Sequence, residues 1–208
     1  MAQSTRERLI QVAHDLIMKH GLAAVGVEQV IGRAGVSKTT FYNHFESKED
    51  LIVQVMKWRD QWMRETVRPL LRERAGDAPR AQLLAVFDLL DEVFGSHGFG
   101  GCIFIRASGL YPMPHDPVHL VTAQHKRNVV AWIRELAAYA GARDPAAFAD
   151  EMAIVIAGAY ALSQMDSTKH VAAIAKRLGN ELIDRHIPQP RVSVRPLHRR
   201  GNANAIGK

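Results

Sequence analysis

The chain carries one cysteine, Cys102, in 208 residues. That excludes an intrachain disulfide and fits a reducing compartment. No stretch alternates apolar and polar residues as a half-buried strand would, so no sheet is expected. The longest apolar run, Met152 to Leu162, falls short of the ~20 residues that cross a bilayer. The N-terminal MAQSTRERLIQ lacks the apolar centre of a secretory signal. A cytoplasmic protein with no membrane partner is the expectation. Acidic residues are missing from 188–208, where Arg191, Arg195, Arg199, Arg200 and Lys208 supply five of the six net positive charges. The first fifty residues balance six basic against six acidic side chains. The pI near 9.7 therefore reflects the tail, and any nucleic-acid affinity nearer the N-terminus has to come from local placement.

Signatures of catalysis are also missing. His115 and His119 are four apart, but Pro117 stands between them at a helix start, and no glutamate sits at zinc-protease spacing. Ser108 and Ser163 have no nucleophile-elbow sequence. The glycine-rich bend from Gly95 to Gly101 lacks the Lys-Ser/Thr of a phosphate loop and follows no strand. We expect no metal, no cofactor and no enzyme. Cys102 opens a helix after two glycines, a setting that could activate a thiol for redox sensing, but a small buried apolar packing role is the favoured reading.

What the chain has in quantity is helical periodicity. Leu9, Val12, Ala13, Leu16 and Ile17 form the i, i+3, i+4 stripe of a helix over Thr5–Lys19, opened by a Ser4/Glu7 capping box and closed by Gly21. Val27–Ala34 reads as a short helix that Gly35 ends, and Ser37 caps the next, about Lys38–His44. A turn this tight forces a sharp crossing, the helix-turn-helix arrangement whose second helix enters the DNA major groove. Phe41 and Phe45, at i and i+4, anchor that helix. Ser37, Lys38, Thr39, Thr40, Tyr42, Asn43 and His44, with Lys48 just beyond, offer groups suited to phosphates and base edges.

The order AGVSKTTFYNHFESKEDL, from Ala34 to Leu51, closely resembles the signature of the TetR/AcrR family of bacterial transcriptional regulators. Gly32 stands where a small Ala is common, and Val25-Gly26 replaces the Thr or Ser that often opens the second helix. The resemblance implies an all-α fold: a three-helix DNA-binding domain over 1–47, then a helical ligand-binding and dimerisation domain over 48–187. Residues 188–208, rich in Pro, Arg and Asn, read as a basic disordered tail.

In the body, Ser47/Asp50 cap a long helix to about Arg74, which would carry movement from body to DNA module. Helices follow over Ala81–Phe94, Gly101–Leu110, Val118–Ala140, Ala146–Gln164 and Thr168–His186. The resemblance implies a ligand pocket among them. Candidates for its lining are Trp58, Trp62, Met63, Phe87, Leu90, Phe94, Phe104, Tyr111, His125, Trp132, Tyr160 and Met165, with His97 and Asp166 as further polar fixtures, although core packing explains each singly. The last two helices suit a four-helix bundle between two copies, with Met152, Ile156, Val171, Ile174, Leu178 and Leu182 as interface candidates. The function expected is a homodimeric, sequence-specific DNA-binding regulator, a repressor on a palindromic double-stranded operator released by a small-molecule ligand. Alternatives are a ligand-independent DNA-binding factor of the same fold, a cysteine redox sensor, or a small helical enzyme.

Overall fold

A computed structural model describes residues 3–165 and 168–188. Among these the regular elements are all helices: α1 Thr5–His20, α2 Val27–Ala34, α3 Lys38–Tyr42, α4 Lys48–Ala75, α5 Pro79–Gly95, α6 Ile103–Leu110, α7 Pro117–Tyr139, α8 Pro145–Leu162 and α9 Thr168–His186. Their starts follow local chemistry. Ser4 and Glu7 exchange both capping bonds at α1, and Ser47 Oγ accepts the Asp50 N–H at α4, 3.1 Å away. Asp116 and Asp144 cap α7 and α8, each with proline at the first position. Gly26 has no side chain to cap α2, but its N–H donates to Gln29 Oε1 at 2.9 Å, so half of a capping box survives.

Two apolar clusters hold the chain. One combines α1, α2, α3 and the start of α4, including Leu9, Ile17, Val30, Phe41, Phe45, Ile52 and Met56, with Ile103, Phe104 and Ala107 of α6 and Val118 of α7. The other joins the end of α4 to α5, α7, α8 and α9 through Leu71, Leu83, Phe87, Ile133, Phe148, Met152 and Ile183. The expected boundary at residue 47 is therefore no gap in the packing. In the second cluster α5 and α9 approach closely over Gly179, where a Cβ would overlap the Phe87 ring. Lys176–Asp88 and Arg80–Asp184 ion pairs flank that contact.

Helix α8 is long and apolar enough by composition to cross a bilayer. Here it packs sideways on α7 and α9. Its ends differ slightly from expectation, because Pro145 starts it and it closes at Leu162, with Ser163 turning under a bond to Tyr160 O. The basic tail lies outside the described residues from position 189 onward, as does Asp166.

Candidate DNA-reading helix and candidate ligand cavity

The turn between α2 and α3 is built by one glycine and one serine. Gly35 is left-handed at φ 65°, ψ 41°, and the Val36 N–H reaches back to the Ile31 carbonyl at 3.1 Å, closing the end of α2. Ser37 Oγ then accepts the Thr40 N–H, and the two hydroxyls lie 2.8 Å apart, so both are engaged in the cap. Phe41 and Phe45 are fully buried with ring centroids 5.4 Å apart, which orients the opposite side outward. Lys38, Thr39, Tyr42, Asn43 and His44 are exposed there. The helix ends at Tyr42, two residues before the expected His44, because the His44 N–H bonds back three residues to Phe41 O and tightens the last turn. Lys38 pairs with Glu28 of α2 at 2.9 Å, and that hydrogen bond raises its pKa. Both groups are well exposed, so the pair is weak enough to be exchanged for a phosphate. Lys48 is half-buried at the first position of α4.

A cavity of about 520 Å³ opens between α4, α6, α7 and α8, within the size range of small-molecule sites. Arg59 and Met63 come from α4, Ile103, Phe104, Ile105 and Ser108 from α6, with Gly101 and Cys102 leading into that helix. Thr122, His125, Lys126 and Val129 come from α7, and Asp150, Ala153, Ile154, Ile156, Ala157 and Tyr160 from α8, with Met18 of α1 at one end. Phe104 and His125 stack in parallel, centroids 3.5 Å apart. Behind them His125 Nδ1–H donates to buried Asp60 Oδ1 at 2.6 Å, and Asp60 Oδ2 accepts from Asn128 at 3.0 Å and pairs with Arg64 at 3.1 Å. Burial lowers the His125 pKa, Asp60 offsetting only part of it while Arg59 and Arg64 add to it, so the ring is a neutral donor. A second groove of about 640 Å³, between α4 and α7, is more open and includes the polar groups Lys57, Gln61, Arg64 and Gln124 beside the Asp60–His125 pair. Of the two, the cavity among α4, α6, α7 and α8 has the more apolar lining.

Residues 9–55 match the family model described as bacterial regulatory proteins, tetR family. Over 178 residues the chain is 25% identical to the HTH-type transcriptional regulator YjdC of Escherichia coli, covering 86% of this chain and 93% of that one. The structure of SCO4454, a TetR-family transcriptional regulator from Streptomyces coelicolor, superposes with a TM-score of 0.80 at 27% identity, over 88% of this chain and 95% of that one. The HTH-type transcriptional repressor NemR of E. coli is 28% identical over about half of each chain. The chain belongs to the TetR family. It is a DNA-binding transcriptional regulator.

Within this TetR-family protein the expected pocket residues separate. Met63, Phe104, His125 and Tyr160 line the cavity together with Cys102. Phe87, Leu90 and Phe94 are instead buried in the second core cluster, and Trp132 packs against it. Trp58 and Tyr111 pack on the first cluster. Trp62 lies outside the lining, its ring 4.0 Å beneath the Arg59 guanidinium, and Met165 is exposed. These corrections share a cause: large apolar side chains at helical spacing mostly face neighbouring helices, and only those on the walls of the gap see the cavity.

Among the interface candidates, Met152 and Val171 are buried within their own chain, Ile156 lines the cavity, and Leu182 is partly buried. Ile174 and Leu178 are exposed, as are Ile154 and Leu162, which sequence reasoning passed over. The surroundings of Cys102 do not favour the redox reading. Burial pushes the thiol above its ordinary pKa, more than the N–H groups of Ile105 and Phe104 pull it down, the reverse of an activated thiolate. Sequence reasoning also missed Arg59. The available signal was an arginine next to Trp58 and three residues before Trp62 on a long helix.

Proposed function

We propose that this regulator is a homodimeric repressor that holds a palindromic operator through two α2–α3 units and lets go when a small molecule fills the cavity. Coupling is the observation that carries the reading. Ile103, Phe104 and Ala107 belong to the same apolar cluster as Phe41 and Phe45, while Phe104 also forms cavity wall. A ligand that displaces α6 therefore repacks the core under the candidate recognition helix. Two polar links reinforce the connection. Arg106 of α6 bonds Gln164 at the end of α8 and reaches the Met18 carbonyl of α1, and Asp60 ties α4 to His125 on the opposite wall. Interfaces and packed cores switch between discrete arrangements, so a small shift at the cavity can become a change in spacing between two recognition helices.

Support for the dimer comes from exposed apolar side chains on α8 and α9, among them Leu162, Ile174 and Leu178. On this reading residues 1–47 bind DNA, 48–187 sense and dimerise, and Lys38, Thr39, Tyr42, Asn43, His44 and Lys48 meet the operator, with Ser37 and Thr40 holding the turn. The protein works in the cytoplasm, without catalysis. The test is operator binding by variants. Tyr42→Ala and Lys48→Ala each weaken affinity, and Lys48→Ala also reduces the salt slope by about one. Unchanged affinity and slope in both would remove the assigned face.

A further inference from the structure

Arg59 is a cation built into the cavity wall without an anion to match it. Among the described residues it forms no ion pair with any carboxylate, although much of its side chain is withdrawn from water, which lowers its pKa. Its guanidinium lies with one face 4.0 Å from the Trp62 ring centroid. Stacking uses the face of that group and leaves the in-plane N–H donors free to fork onto an acceptor. Its neighbours do not neutralise it. Burial raises the Cys102 thiol and pushes the Tyr160 phenol up to about 12, so both are uncharged at neutral pH. Asp150, the acid in the lining, is exposed and makes no ion pair with Arg59. A part-buried cation without an ion-pair partner favours an arriving anion and disfavours a cation.

We propose that the ligand of this cavity is an amphipathic organic anion: an apolar body lying against Met63, Ile103, Phe104 and Ile156, and a carboxylate or similar acid gripped by Arg59. The neutral Tyr160 hydroxyl, from α8, is a second donor in the lining. This proposal rests on the reading of the cavity as the sensing site.

The experiment uses the full chain and probes that differ only in head group: 4-phenylbutyrate, 4-phenylbutyramide and 4-phenylbutylammonium, with decanoate and decanamide as a longer pair. Binding is followed by thermal shift and calorimetry, and operator release by anisotropy of labelled DNA. The acids are expected to raise Tm with concentration and to bind roughly tenfold to a hundredfold tighter than the amides, as a charged hydrogen-bonded pair would give. Arg59→Met should erase that preference, and Arg59→Lys should keep part of it. Amide or ammonium probes that bind as well as the acids and release the operator would overturn the anionic class while leaving the sensing role intact. Failure of the whole series to shift Tm or operator affinity would overturn both. Should Arg59→Met not fold, the head-group comparison on the unaltered protein decides the matter alone.

Discussion

Asp60→Ala is the sharpest probe of how the long helix is fastened to the body. Asp60 is 7% exposed and His125 9%, and the carboxylate accepts from His125 at 2.6 Å and Asn128 at 3.0 Å while pairing with Arg64 at 3.1 Å. Removing it strands two donors, buried His125 and half-buried Asn128. Each orphaned donor costs about 1–3 kcal/mol. Arg64 is about half exposed, so its share is screened and adds at most about 1 kcal/mol. The expected loss is about 2–7 kcal/mol, which for a chain of this size lowers Tm by roughly 4–28 °C. Asp60→Asn should cost less, since it keeps an acceptor. Urea unfolding monitored by tryptophan fluorescence and circular dichroism measures the loss, and a double-mutant cycle with His125→Ala isolates the pair. A coupling of about 1–3 kcal/mol is expected. A loss below about 1 kcal/mol, or strict additivity in the cycle, would refute the claim that this contact pins α4 to α7.

Stability should also depend on pH in a set direction. His14 and His125 both have pKa values lowered by burial from 6.5, so below about pH 6.5 the unfolded chain binds more protons and Tm falls; a Tm that holds or rises from pH 7.5 to 5.5 would contradict this. Phe41→Ala, at a fully buried site against Phe45, should cost about 3–5 kcal/mol and abolish operator binding with it; calorimetry and anisotropy report the two losses. Gly179→Ala forces a methyl into the Phe87 ring and should cost about 1–3 kcal/mol in thermal unfolding. Ile174→Glu with Leu178→Glu, on the exposed stripe of α9, should give a folded monomer in sedimentation equilibrium; a persistent dimer would move the interface elsewhere.

The sequence made the helices legible because their signals are local. Ser4, Ser47, Asp116 and Asp144 cap where their positions suggested, and the α2–α3 turn follows from Gly35 and Ser37, whose roles depend on neighbours within four residues. The cavity was less legible because its walls come from residues as far apart as Met18 and Tyr160. Phe87 and Phe104 are both aromatic residues on apolar faces, yet one closes on α9 and the other faces the gap, a difference set by helix packing alone. Met152 and Ile174 likewise share an apolar character, and only the packing of neighbouring helices decides that Met152 is covered and Ile174 is not. Arg59 was passed over because a cation on a helix is ordinarily solvated, and nothing local reveals that Trp62 and the opposing helices enclose it.

The central claim is that α3, held by Phe41 and Phe45 and placed twice by a dimer, reads a palindrome. Selection of DNA from a random pool by the purified protein, followed by sequencing, tests it directly. The account predicts enrichment of an inverted repeat whose half-site centres lie about one helical turn apart or a multiple of it, lost when Tyr42 and Lys48 are both replaced by alanine. Enrichment of nothing, or of a single asymmetric site that survives that double replacement, would contradict it.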